Sequence, residues 1–216
     1  MRLKKLIEYS LFTRRCEICG SVVEFNRARC EECEELKRIT GCVIDDEMKY
    51  SALVSSYFYD DESVRRAVAR FKYRGFKALA SSLAGEMIKS VEENYSDVSF
   101  DYVTYVPMTL WKKRKRGYNQ TELLAKEIAG RMNVPCKCLL KKIKKTKAQQ
   151  GSTSAERKKN LSGAFDLCVY EETIKGKTIL LVDDVKTTGS TLNECSKILK
   201  KNGAEKVYAV TFAMTR

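Results

Sequence analysis

Histidine does not occur in this chain. Its absence removes imidazole acid–base chemistry and every metal site that needs an imidazole ligand. Any zinc site must be built from cysteine alone, or from cysteine with carboxylates. No apolar run approaches the roughly 18 residues of a membrane span. Residues 1–15 carry Lys and Arg but lack the long apolar core and cleavage site of a secretory signal, so a cytoplasmic protein is expected. The Walker A pattern is missing, as is a Rossmann glycine triplet, which disfavours ATP and NAD as ligands. There is no internal repeat and no low-complexity segment. Acids are scarce in one region. Between positions 111 and 160, 16 Lys/Arg stand against Glu122, Glu127 and Glu156, a difference of +13 that equals the formal net charge of the whole chain. The remainder is therefore neutral in sum, and basicity this localised points to a polyanionic ligand.

What is present fits a folded protein. The 216 residues are 44% hydrophobic and 32% charged, enough for one α/β domain and a small appendage. Nine cysteines, an odd number without an export signal, argue against a disulfide framework. Cys16 and Cys19 form one Cys-x-x-Cys pair, Cys30 and Cys33 a second, and ten residues separate them. Each pair can reach one metal from a tight turn, for which Gly20 is suited, and four thiolates satisfy tetrahedral zinc. Cys42 has no partner at ligand spacing. The expected organisation is a zinc-binding module over 1–40, a linker over 41–49 and the main domain over 50–216.

Residues 1–15 read as a short helix. The stretch 50–59 reads as a strand. Asp60 or Asp61 can cap a helix over 63–73, with Val64, Val68 and Phe71 on one face and Gly75 breaking it. A second helix is expected over 76–93. A strand over 101–106 ends at Pro107. A very basic loop follows over 108–116, then a helix over 118–132 with Leu123, Leu124 and Ile128 as its stripe. Strands are expected at 138–143 and around Phe165, Leu167 and Val169. Between them lie a polar loop, 144–154, and a short helix, 155–160. A strand over 177–182, a helix burying Leu192, Cys195, Ile198 and Leu199, and a strand over 207–212 complete the chain. From about residue 100 strands and helices alternate, so the fold class is α/β, a mainly parallel sheet flanked by helices. Ligands of such sheets bind at the carboxyl ends of strands, where Pro107 and Asp183 both stand.

The chemistry concentrates at 179–191. Four apolar residues run into Asp183 and Asp184, which are expected to end the strand. Val185, Lys186, Thr187, Thr188, Gly189, Ser190 and Thr191 then turn into a helix. Successive amides of a Gly-containing turn make a concavity for an anion, the hydroxyls add donors, and the helix adds its dipole. Carboxylates just before such a loop suit sugar hydroxyls or Mg²⁺. Phosphate on one side and a diol on the other describe a ribose 5-phosphate.

This stretch resembles the phosphoribosyl pyrophosphate (PRPP) signature of type I phosphoribosyltransferases. Val106-Pro107, Arg114 to Gln120 with Leu123-Leu124-Ala125, the segment 71–75, Gln150, 156–160, 163–165 and the cysteine module together resemble the ComF family of phosphoribosyltransferase-like proteins, some of which are linked to competence. The resemblance implies the type I phosphoribosyltransferase fold. Asp183 and Asp184 would meet the ribose hydroxyls, and the amides and hydroxyls of 185–191 the 5-phosphate. Arg114, Lys115, Arg116, Gly117, Tyr118 and Asn119 would hold pyrophosphate. Lys145, Lys147 and Arg157 would be catalytic, contacting the leaving pyrophosphate from a loop that covers the site. Zinc would be structural and Mg²⁺ would come with PRPP. An Asp that handles the base proton in 6-oxopurine enzymes is replaced here by Thr187, which disfavours hypoxanthine or guanine as acceptor. Three functions follow: phosphoribosyl transfer to an amine or nucleobase, as in salvage; a PRPP-binding protein working in DNA uptake with a helicase-like competence protein; or a single-stranded-DNA-binding module that keeps only the fold, gripping DNA with Lys/Arg, Trp111 and Tyr118.

Overall fold

The computed structural model describes residues 14–73, 76–144, 161 and 163–216, with the side chain of Tyr73 excepted. The expectations for the helix over 1–15 (beyond its last two residues), for the loop 144–154 beyond Lys144 and for the helix 155–160 lie outside them. The elements, in chain order, are β1 (Arg14–Arg15), β2 (Val22–Val23), α1 (Glu31–Glu34), β3 (Ala52–Phe58), α2 (Glu62–Tyr73), α3 (Leu79–Asn94), β4 (Tyr102–Tyr105), α4 (Leu110–Arg116), α5 (Gln120–Met132), β5 (Leu140–Lys142), β6 (Phe165–Leu167), β7 (Thr178–Lys186), α6 (Ser190–Lys201) and β8 (Lys206–Met214). Local chemistry explains their ends. Asp61 accepts the Ser63 amide at 2.9 Å and so opens α2. Gly117 closes α4 in the left-handed region at φ 85°, where its amide reaches the Lys113 carbonyl.

The central sheet has the order β3-β8-β7-β4, and every pairing is parallel. The class expected from sequence, a parallel sheet flanked by helices, is the class observed. β7 is covered on both faces, so its run Ile179 to Val182 is entirely buried. Alternation assigns the faces. Leu180 and Val182 pack with α2, α3 and α5, whereas Ile179 and Leu181 pack with α6 and with Leu139, Leu140 and Phe165 at the antiparallel pair β5 and β6.

Two expectations need correction. The acids do not end the strand: β7 continues through Asp183 and Asp184 to Lys186, with Val185 and Lys186 in register with Ala213 and Met214 of β8. A long neighbour that supplies backbone partners overrides the poor strand propensity of Asp. The basic stretch 108–116 is also not all loop. Residues 110–116 form α4, capped by the Thr109 hydroxyl, which accepts the Lys112 amide at 3.4 Å.

The four cysteines sit against this body. Cys16, Ile18, Cys19 and Cys33 are buried in the same apolar cluster as α2 and α3. Polar contacts reinforce the docking. Arg70 of α2 donates to the Cys19 carbonyl at 2.8 Å, Ser63 donates to Glu32 at 3.1 Å, and Arg66 also bonds Glu32. On α3, buried Glu86 takes Arg29 at 2.7 Å, the Tyr57 hydroxyl at 2.6 Å and Lys89 at 2.9 Å. Among the described residues no helix is long and apolar enough to cross a membrane.

Candidate functional site at the carboxyl ends of the parallel strands

Because successive strand side chains leave on opposite faces, Asp183 and Asp184 splay apart. Both are buried, at 9% and 6% exposure. Asp184 turns toward α2 and α5. Its Oδ2 takes Lys72 Nζ at 2.9 Å and Gln120 Nε2 at 3.1 Å. Asp183 turns toward α6, and its Oδ1 accepts the Asp184 amide at 2.8 Å. Burial, then the charge of Asp184, pushes the Asp183 carboxyl well above the usual carboxylate range. Burial also opposes the charge on Lys72, but Asp184 outweighs it and the ammonium titrates above its ordinary value.

Beyond β7 the chain turns at Gly189, φ 74°, into the twelve residues of α6. A Cβ there would stand 3.4 Å from the Tyr50 hydroxyl and 3.5 Å from Lys186 Cε, so the turn needs glycine for its conformation and has little space to spare. Thr188 and Ser190 share a hydroxyl–hydroxyl bond of 2.9 Å, and the Thr187 carbonyl accepts from Thr215. The first amides of α6 have no intrahelical acceptor and face an anion favourably.

The neighbouring strand end carries the basic group. The Val106 amide donates to Val182 at 3.0 Å, holding the end of β4 beside β7. The Val106 carbonyl in turn accepts from Asn119 Nδ2 at 3.2 Å and from Thr121 Oγ1 at 2.6 Å, which fixes the start of α5. Between them stands α4, none of whose residues is buried, with Lys113, Arg114, Lys115 and Arg116 in its last turn. Arg116 donates to Gln120, which donates to Asp184, so the basic helix and the acid pair are joined through one amide side chain.

The sequence-predicted residues thus divide. Asp183, Asp184 and the 187–191 turn come together with Arg116 at neighbouring strand ends. Val185 and Lys186 lie in the strand. Tyr118 and Asn119 face inward: the Tyr118 hydroxyl bonds the Phe71 carbonyl, and Asn119 holds Val106. Lys145, Lys147 and Arg157 lie outside the described residues. Three side chains at the site have no role assigned from the sequence, although Lys72 and Gln120 lie in segments that carry the family resemblance. Gln120 and Lys72 are hydrogen-bonded to Asp184. Lys142 of β5, over the Phe165 ring at 5.0 Å, feels both Asp183 and Lys112. Burial and then Lys112 pull the Lys142 ammonium below its ordinary value. Lys72 falls in the segment 71–75 that carries the family resemblance, but no spacing in the chain ties it to an acid.

The second candidate centre is the cysteine cluster. The sulfurs of Cys16, Cys19, Cys30 and Cys33 all lie within 4.8 Å of one another, and Cys19 and Cys30 approach to 3.7 Å. A tetrahedral zinc with bonds of ~2.3 Å sets its sulfurs about 3.8 Å apart, so the four cysteines fit such an ion. The Gly20 amide donates to the Cys16 carbonyl at 2.8 Å, the tight turn expected of the first knuckle.

Comparison with known proteins accords with this geometry. The phosphoribosyl transferase domain family matches residues 119–216. Competence protein F of Haemophilus influenzae is 29% identical over 196 residues, 89% of this chain and 81% of that protein. Competence protein ComFC of Bacillus subtilis is 25% identical over 191 residues, 87% of this chain and 72% of that protein. DNA utilization protein YhgH of Salmonella typhimurium is 27% identical over 202 residues, 89% of this chain and 86% of that protein. The chain thus combines a parallel sheet flanked by helices, an acid pair before a glycine turn and a four-cysteine cluster with a match to the phosphoribosyl transferase domain family over residues 119–216, and it is similar over most of its length to competence proteins F and ComFC.

Proposed function

We propose that this protein binds PRPP at the carboxyl ends of β4 and β7. The observation that carries the reading is the juxtaposition of two buried acids with a glycine turn opening α6 on one side and the exposed basic helix α4 on the other. Asp183 and Asp184 accept the ribose hydroxyls. The amides and hydroxyls of 187–191 take the 5-phosphate. The cations of α4 take the pyrophosphate. Lys145, Lys147 and Arg157 close on the leaving pyrophosphate, excluding the water that competes for an oxocarbenium-like centre. Magnesium brought with PRPP would supply the charge that neutralises the pyrophosphate. The four cysteines hold a structural zinc. The site can host phosphoribosyl transfer to an acceptor other than hypoxanthine or guanine.

The names of the relatives support a role in competence and DNA use; a place inside the cell and a helicase-like competence protein as partner belong to the proposal alone. Titration calorimetry with Mg-PRPP tests the core of this reading. Wild type binds, and Asp183→Ala with Asp184→Ala does not; no heat from wild type, or equal binding by the variant, overturns it.

A second reading is favoured by one observation. Trp111 on α4 is 59% exposed on a helix with five cations, with Lys115 over its ring at 5.4 Å, an arrangement that can stack and neutralise single-stranded DNA. Buried Tyr118 does not join it. If both ligands use α4, PRPP and an oligonucleotide displace one another. Oligonucleotide binding undetectable at about 0.1 M salt sinks the DNA reading.

A further inference from the structure

The acid pair is supported from outside its own motif. Asp184 receives two donors on one oxygen, Oδ2: Lys72 from the last turn of α2 and Gln120 from the first turn of α5. Asp183 receives the Asp184 amide on one oxygen, Oδ1. Among the described residues, Asp184 Oδ1 and Asp183 Oδ2 receive no amide, amine or guanidinium donor. One oxygen of each acid is thus held by these donors, and the two carboxyls also interact with one another. Two donors on a single carboxylate oxygen fix the plane of the group as well as its place. Lys72 is the only cation paired with either acid among the described residues, and its side chain is itself mostly buried. It stands at the carboxyl end of a helix, where a positive charge is favoured.

We propose that Lys72 is a positioning residue for sugar recognition: its ion pair with Asp184 fixes that carboxyl for a ribose hydroxyl, and Lys72 does not itself grip the anionic groups of the ligand. The inference rests on the PRPP reading above and deepens it, because it separates the sugar half of the site from the pyrophosphate half. A lysine acting through Asp184 matters for any ligand with the ribose diol and for none without it.

Calorimetry with three probes tests this: Mg-PRPP, ribose 5-phosphate and magnesium pyrophosphate. Lys72→Met is expected to weaken the first two alike, by about tenfold, the scale of coupling between contacting groups, and to leave pyrophosphate unchanged. Lys72→Arg, which keeps the charge, restores most of the loss. Removing one member of a buried ion pair can unfold a chain, so the decisive comparison is a cycle with Asp184→Asn, whose double variant with Lys72→Met strands neither charge of the pair. In the Asp184→Asn background Lys72→Met adds no further loss for ribose 5-phosphate. The proposal is overturned if Lys72→Met binds every probe as wild type does, if it loses pyrophosphate while keeping ribose 5-phosphate, or if its loss in the Asp184→Asn background is as large as in wild type. Failure of wild type to bind either ribose ligand is visible before any variant is made, and it overturns the PRPP reading itself, with this inference.

Discussion

Asp183 carries a cost that its neighbours do not remove. Its folded-state affinity for a proton is raised by burial and by Asp184. Folding therefore favours its protonated form, and the stability it contributes is full below the unfolded carboxylate range and is lost as pH rises from there through its raised folded value. Asparagine cannot ionise and accepts the Asp184 amide equally well. Asp183→Asn is thus expected to stabilise the protein at pH 7 by on the order of 1 kcal/mol, about 2–4 °C in thermal midpoint for a chain of this size, while weakening ribose binding. A thermal scan of the two proteins at pH 7 and at pH 4 checks the sign: the gain shrinks at the lower pH. An equal or lower midpoint at pH 7 contradicts it. A site kept at the expense of stability is the expected mark of a binding residue, and Asp183 is the place to look for it.

At the scale of elements, α3 does more than pack. Burial pushes the Glu86 carboxyl up, but the Tyr57 hydroxyl, Lys89 and Arg29 reverse this and hold it down to about 2. A depressed folded value stabilises the protein above the unfolded value, 4.5, and the contribution is lost as pH falls from there toward about 2. Glu86→Ala strands Arg29 and Tyr57 and is expected to cost about 3 kcal/mol in denaturant unfolding. Glu86→Gln should flatten the acid limb of the stability curve, and an unchanged limb refutes the assignment. How legible such features are depends on their range. The buried run of β7, the glycine turn before α6 and the Cys-x-x-Cys knuckles are local patterns, and each stands where the sequence puts it. Helix α4 was written in its ends, Thr109 and Gly117, but its two apolar residues, Leu110 and Trp111, are adjacent in its first turn and make no period for a reading based on periodicity. The extension of β7 past the acids depends on β8, and the Lys72–Asp184 and Arg29–Glu86 pairs join residues far apart in the chain. No periodicity encodes those, because the fold alone brings them together.

Taken whole, the molecule has two chemical centres: the cysteine cluster and the acid pair. They share α2. Ser63, Arg66 and Arg70 hold the cysteine module, and Lys72, at the end of the same helix, holds Asp184. On the zinc reading, stripping the metal with a chelator is expected to loosen α2 and weaken Mg-PRPP severalfold. Linkage then imposes a condition that needs no further structure. Whatever factor the metal contributes to PRPP affinity, PRPP must return to the metal. Zinc release to a chromogenic chelator should therefore need more chelator when Mg-PRPP is present, by the same factor seen in calorimetry. Release curves that coincide would mean the two centres are energetically independent. If they are linked, the metal content of the protein becomes a readout of its sugar ligand, and a cell short of zinc loses affinity for PRPP before the fold itself is lost.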